Sequence, residues 1–209
     1  MRRRDGVWLP IAAAAVIIGV VLVVFGLQRR DGPPDVPGQG RNGPSATTPG
    51  AAAPMSRSAP VRIRIPAIGV DAPVLSLGLN ADGTVREPSL AQPWLTSWYN
   101  GGAAPGERGP AAFYGHVDTR ASGPAVFYDL ARLKPGAHVR VLREDGRTAI
   151  FQITSIEQVP KSRFPTQKVY GPTSEPTIRV MTCGGDFDPG TRHYKDNVIA
   201  YGVLIHAVG

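Results

Sequence analysis

A single cysteine, Cys183, stands in a chain of 209 residues. One thiol excludes an intramolecular disulfide framework and any multi-thiolate zinc or iron–sulfur site, because each needs more than one sulfur. A lone thiol is left with two readings, a small buried hydrophobe or a nucleophile. Histidine is nearly as scarce, at four residues, so each candidate proton carrier can be weighed by itself. No basic stripe with interleaved aromatics runs through the chain, and that absence argues against nucleic acid as a partner. The formal charge of +7 points the other way only until its distribution is read. Residues 1–60 hold seven Arg and three Asp, so residues 61–209 hold 16 basic and 13 acidic groups, a surplus of three. That is an ordinary domain surface. Much of the basicity flanks an apolar run, where membrane topology signals sit.

That run, GVWLPIAAAAVIIGVVLVVFGL from Gly6 to Leu27, is uncharged throughout. At 1.5 Å per residue it is long enough to cross a hydrocarbon core of about 30 Å. Its end, FGLQRRDG, lacks the small-residue site of a cleaved leader, so a retained transmembrane helix over residues 7–27 is expected, after a short basic N-terminus at 1–6. Three arginines before the span and two after it place the N-terminus in the cytoplasm and the remainder outside the cell. Residues 28–60 are rich in Pro, Gly, Ala and Ser with little that is large and apolar, the composition of a disordered linker.

From Val61 the pattern changes to short strand-like runs. VRIRI alternates strictly, AHVRVL and TAIFQITSI nearly so, and REDGR between the latter two supplies the Asp-Gly turn of a hairpin. AAFYGHV, TIRVMT and NVIAYGVLI are further apolar runs of strand length, bounded by Gly, Pro or Asn. Only AVFYDLARL reads as a helical turn or short helix. Such a sequence predicts a mainly β domain over 61–209, a closed or nearly closed barrel or a sandwich.

If Cys183 is a nucleophile, it needs a proton carrier and a group that stabilises an oxyanion. His138 and His206 lie inside strand patterns. His116 sits where a buried strand breaks into a polar loop, and His193 lies in a loop close to Cys183 in sequence; position alone favours His116 of these two. Gly184 and Gly185 free the backbone after the thiol to turn and to present N–H groups. Asp186 and Asp188 lack a regular calcium-ligand spacing, and no metal and no cofactor are expected.

TIRVMTC, a strand delivering Thr182 and Cys183 at its end, resembles the T-L-x-T-C signature of sortases, the membrane-anchored cysteine transpeptidases of Gram-positive cell surfaces. GHVDTR resembles the segment that carries their catalytic histidine. TCGGDFD and YKDNVIAYG are similar to the actinobacterial class E or F type, as are the wider segments WYNGGAAPGERGPAAFYGHVD and DLARLKPGAHVRVL. The resemblance implies an eight-stranded β-barrel with one or two short helices, Cys183 at a strand end, His116 on a facing loop, and an arginine on or near the last long strand. It implies attack on the threonine carbonyl of an L-P-x-T-G-like sorting signal, then transfer to an amine of a peptidoglycan precursor or another acceptor, by a monomeric enzyme. In the family the arginine follows the cysteine by about a dozen residues. That position here is Lys195, while Arg192 is the one arginine after Cys183. Arg192 is preferred because lysine lacks the planar fork of a guanidinium, with Lys195 as the alternative. Asp118 either orients His116 or caps a turn, and Thr182 either helps place the oxyanion or serves only as a strand former. Two other readings compete: a plain extracellular cysteine peptidase, and a non-enzymatic β-domain on a stalk for cell-wall binding. The connection at residues 157–176, long and rich in proline, is expected to contact substrate.

Overall fold

Ten strands follow one another from Pro60 onward, and eight of them close on themselves. The computed structural model describes residues 32–37 and 50–209. The strands are β1 (Pro60–Ile65), β2 (Val70–Leu77), β3 (Thr96–Tyr99), β4 (Gly109–Tyr114), β5 (Asp118–Thr119), β6 (Gly123–Pro124), β7 (His138–Arg143), β8 (Thr148–Pro160), β9 (Pro176–Asp188) and β10 (His193–Val208). The barrel runs β1-β2-β3-β4-β9-β10-β8-β7, and β5 and β6 form a separate small ribbon. The pairs β2–β3 and β4–β9 are parallel; the other barrel neighbours are antiparallel.

The alternation of VRIRI puts Ile63 and Ile65 inside with no exposure, while Arg62 and Arg64 project outward to share the carboxylate of Asp71. The expected hairpin joins β7 to β8 through Glu144–Arg147, with Gly146 at φ 79°, the left-handed conformation that glycine adopts without Cβ strain. Inside the barrel, Phe113, Val139, Val141, Phe151, Ile153, Ile178, Val180 and Leu204 meet in one cluster. Each such side chain contributes about 1.5–3 kcal/mol through removal of apolar surface from water.

The apolar runs that do not alternate have a second cause. Met181, Ile199 and Tyr201 point away from the barrel interior and pack with Ala112, Val169, Tyr99, Tyr114, Phe164 and Tyr170 in a cluster of their own. Strands β9 and β10 are thus buried on both faces and read as nearly continuous hydrophobic sequence. A short helix, Thr166–Tyr170, supplies Val169 and Tyr170 to this outer layer. It is fixed by Arg179 of β9, whose guanidinium lies 4.9 Å from the Tyr201 ring and donates to the Lys168 carbonyl oxygen at 3.3 Å.

AVFYDLARL forms turns and a single 3-10 turn, Leu130–Arg132, in keeping with the helical turn expected there, and it draws Phe127, Leu130 and Ala131 into the core. One segment differs from the sequence expectation. Residues 50–59, whose composition suggested an unpacked linker, lie along the barrel. Ala52 donates its N–H to Leu204 O at 2.8 Å, Met55 donates to Gly106 O at 2.8 Å, and the Met55 side chain is buried. Fully buried Arg143 holds this segment, donating to Ser56 O at 2.7 Å, Pro105 O at 2.6 Å and the Asp145 carboxylate at 2.7 Å. Among the described residues no helix is long and apolar enough to cross a membrane; the span expected at 7–27 lies outside them.

Candidate active site

Strand β4 stops at Tyr114, paired with Met181, whereas its neighbour β9 continues to Asp188 against β10 alone. Thr182 and Cys183 therefore lie just past the point where β9 loses one of its two neighbours. The sequence placed Cys183 at a strand end; it lies instead within a long strand, and the strand that ends there is β4. The gap so created opens into a cleft of about 700 Å³ lined by Cys183, His116, Thr182, Asn197 and an aromatic wall of Tyr99, Tyr114, Phe164 and Tyr170.

His116 reaches this cleft because the chain leaves β4 at Gly115. Gly115 is pinned on both sides: its N–H donates to Met181 O at 3.2 Å, and its carbonyl accepts the Thr182 hydroxyl at 2.8 Å. The ring is then oriented from above by the connection between β2 and β3, where Pro88 O lies 2.7 Å from His116 Nε2. A carbonyl oxygen can only accept, so Nε2 carries a proton in this arrangement and Nδ1 is the nitrogen left to exchange one.

Cys183 is half-buried. Burial pushes its thiol above the usual range, as do the carboxylates of Glu87 and Asp118, while Lys161 acts in the opposite sense. The Lys161 ammonium donates to Cys183 Sγ at 3.4 Å. Lys161 opens the 3-10 turn Lys161–Arg163 directly after β8, within the connection expected to contact substrate. Phe164, Thr166 and Tyr170 of that connection form part of the cleft wall. Tyr114 and Tyr170 share a hydroxyl–hydroxyl hydrogen bond of 2.6 Å, and both phenols are pushed up, chiefly by burial, so the wall is neutral and largely apolar there.

The remaining candidates separate into those at the cleft and those away from it. Thr182 is buried beside the thiol and joins β9 to the His116 loop. Asp118 begins β5, and its carboxylate accepts from Tyr194 OH at 2.5 Å; the hydrogen bond to His116 comes from Pro88 instead. Arg192 sits in the exposed turn between β9 and β10 at φ 60°, and Lys195 is exposed at a bulge in β10 between Tyr194 and Asp196. Neither lines the cleft. The register explains this: the residue directly across from Cys183 on β10 is Asn197. His193 opens β10 at the far end of that ladder, opposite Asp188. Gly185, at φ 71°, lies so close to Asp196 that a Cβ would have no room, which accounts for a glycine at the second position after the thiol. Among the described residues no group of three or more His, Cys, Asp or Glu is placed to hold a metal ion.

Sequence decides the family. A family model of the sortase domain matches residues 63–205. The chain belongs to the sortase family, the cysteine transpeptidases. Solved sortases share the fold of this one at low identity. Sortase C2 of Group B Streptococcus pilus island 1 aligns with TM-score 0.53 and 19% identity over 69% of this chain and 73% of that one. Listeria monocytogenes sortase A aligns with TM-score 0.52 and 16% identity over 72% and 90%. A Clostridium perfringens class D sortase transpeptidase aligns with TM-score 0.51 and 22% identity over 71% and 79%. No curated protein matches this chain.

Proposed function

We propose that this sortase is of the actinobacterial class E or F type. It is held in the cell membrane by the span at residues 7–27 with its barrel outside the cell, and it anchors proteins that carry an L-P-x-T-G-like sorting signal. The observation that carries the reading is the meeting of Cys183, the chain's single cysteine, with His116 in one cleft that has an apolar aromatic wall. A cysteine transpeptidase with one cysteine has one candidate nucleophile.

In the first step the Cys183 thiolate attacks the threonine carbonyl carbon and a C–S bond forms as the carbonyl π pair moves to oxygen. Collapse of that oxyanion expels the glycine amine and breaks the C–N bond. The proton for the departing nitrogen comes from His116 Nδ1, since Nε2 is held by Pro88 O. In the second step an acceptor amine attacks the thioester, a new C–N bond forms, the C–S bond breaks, and His116 recovers its proton from the incoming amine. Water in place of the amine would make the same site a peptidase. The apolar aromatic wall of the cleft suits a substrate with an apolar flank beside the scissile carbonyl. N–H groups beside the thiol are the natural partners for the oxyanion, and glycine at 184 and 185 lets that backbone lie close against Val198 and Asp196 of β10.

The test is turnover of a fluorogenic L-P-x-T-G-type peptide by the full chain, with and without added amine. Cys183→Ala and His116→Ala are each expected to lower turnover by a factor of about a thousand or more, with thermal unfolding unchanged. Added amine is expected to divert product from hydrolysis to aminolysis. Activity retained in Cys183→Ala would overturn the reading, and product that ignores the amine would leave a peptidase.

A further inference from the structure

The family resemblance calls for an arginine near the thiol, and the two positions that sequence offers for it lie off the cleft. Arg192 is in an exposed turn and Lys195 is exposed at a bulge, while the position facing Cys183 across the β9–β10 ladder holds the uncharged amide of Asn197. A cation is nevertheless in contact with the sulfur, and it arrives from a different element.

We propose that Lys161 is the cationic partner of Cys183 in this enzyme, taking over from the end of β8 the charge that an arginine on the following strands would supply. The route is set by register. Val159 of β8 pairs with Asn197 of β10, and Asn197 pairs with Cys183 of β9, so the three residues form a row across the sheet. Two strand spacings separate the backbones at the ends of that row, roughly 10 Å. Pro160 is the last residue of β8, and the turn Lys161–Arg163 folds the chain back so that the four-carbon stem of Lys161 covers this span and brings Nζ to 3.4 Å from Sγ. Asparagine at 197 is short enough to leave that path open above β10.

The charges around the sulfur make the contact consequential. Glu87 faces the thiol from the β2–β3 connection and Asp118 from β5, both disfavouring a thiolate, and Lys161 is the cation that opposes them together with burial. Tyr194 of β10 donates to Asp118 and is itself pushed up by burial and that carboxylate, so it stays neutral and adds no charge. Asp196 accepts from Gln158 at 2.9 Å, and Tyr99, Tyr114 and Tyr170 line the wall without a charge of the needed sign. His116, which also bears a proton on Nδ1 in the proposed first step, is held to Pro88 O through Nε2, whereas Lys161 is the cation in direct contact with the sulfur. Lys161 is thus placed to favour the attacking form of the nucleophile, and it touches the reacting atom.

This inference rests on Cys183 as the nucleophile but not on the identity of the substrate, and its test separates the two. The rate of Cys183 alkylation by neutral iodoacetamide is followed against pH for the full chain, Lys161→Met, Lys161→Arg, Arg192→Ala and Lys195→Ala. Lys161→Met is expected to alkylate about tenfold more slowly near neutral pH, with the rise displaced to higher pH. That is the low end of what an opposite charge within ~4–6 Å contributes, as suits an exposed lysine. Lys161→Arg is expected to restore most of the rate, and the Arg192 and Lys195 variants to keep the wild-type profile. A Lys161→Met profile that overlays the wild type, or one that moves with Arg192 or Lys195 instead, would overturn the proposal. A profile that depends on Lys161 in a protein that turns over no sorting-signal peptide would uphold the ion pair and refute the substrate reading.

Discussion

The two halves of β9 have the same neighbour on one side and different fates on the other. From Thr177 to Met181 the strand is paired with both β4 and β10, and its side chains are mostly buried on both faces. From Thr182 onward it keeps β10 alone, its burial falls, and the thiol, the cleft and the close-packed glycines all appear within a few residues. The first half is where the barrel is made and the second is where chemistry has access. One strand carries both because the fully paired half holds the nucleophile rigidly, while the end of β4 opens space beside it.

Truncation in the paired half should break that division most severely. Phe113 of β4 is fully buried and stands directly across from Val180. Phe113→Ala is expected to cost about 3–5 kcal/mol of stability through lost burial and a residual cavity, read by denaturant unfolding. Any variant that stays folded should retain the wild-type alkylation profile of Cys183, because no charge near the sulfur has changed. A stability loss under 1 kcal/mol, on the order of a surface substitution, would mean that the barrel does not depend on the β4–β9 pairing as argued.

The junction between the halves is Thr182, and it separates stability from activity. Thr182→Val keeps the shape and removes the hydroxyl that donates to Gly115 O at 2.8 Å. The cost in stability should be about 1 kcal/mol, from a half-buried carbonyl left without its donor. Peptide turnover should fall by roughly tenfold through kcat, short of the hundredfold that an ångström of misplacement can cost, because His116 is aimed by that junction. The alkylation profile should stay put. An unchanged kcat would reduce Thr182 to a strand residue.

Legibility in the sequence follows the same boundary. Alternation and an Asp-Gly turn exposed β1, β7 and β8, since a half-buried strand writes its geometry in period two. Scarcity and a strand-to-loop break single out Cys183 and His116 as candidates, and the fold brings both to one cleft. What closes the barrel was hidden: the parallel pairs β2–β3 and β4–β9 join segments whose contacts leave no local pattern. Lys161 was hidden for a related reason, since its approach to the thiol depends on the order β8-β10-β9 and not on any spacing within one segment. Counting along the chain from Cys183 pointed to Arg192 and Lys195, but the ladder returns to Cys183 at Asn197, past a bulge that a count cannot register. Residues 50–59 were composed like a linker, yet backbone bonds from Ala52 and Met55 and the buried Arg143 of β7 hold them to the barrel.

The smallest expected effect concerns the opposing charge over the open half. Glu87 lies on the same β2–β3 connection whose Pro88 carbonyl orients His116, so one segment sets the histidine and disfavours the thiolate together. Glu87→Gln removes the charge and keeps the shape. The sign follows from the carboxylate: with it gone, forming a thiolate costs less, the thiol comes down toward its ordinary range, and alkylation begins its rise at lower pH. Because Glu87 is exposed and screened by solvent, the gain near neutral pH should be roughly twofold, fading as salt is raised. In the Lys161→Met background the same substitution should still act, since the two charges reach the sulfur from different elements. A Glu87→Gln profile that moves upward, or that gains as much as Lys161→Met loses, would place the dominant charge on the β2–β3 connection and not at the end of β8.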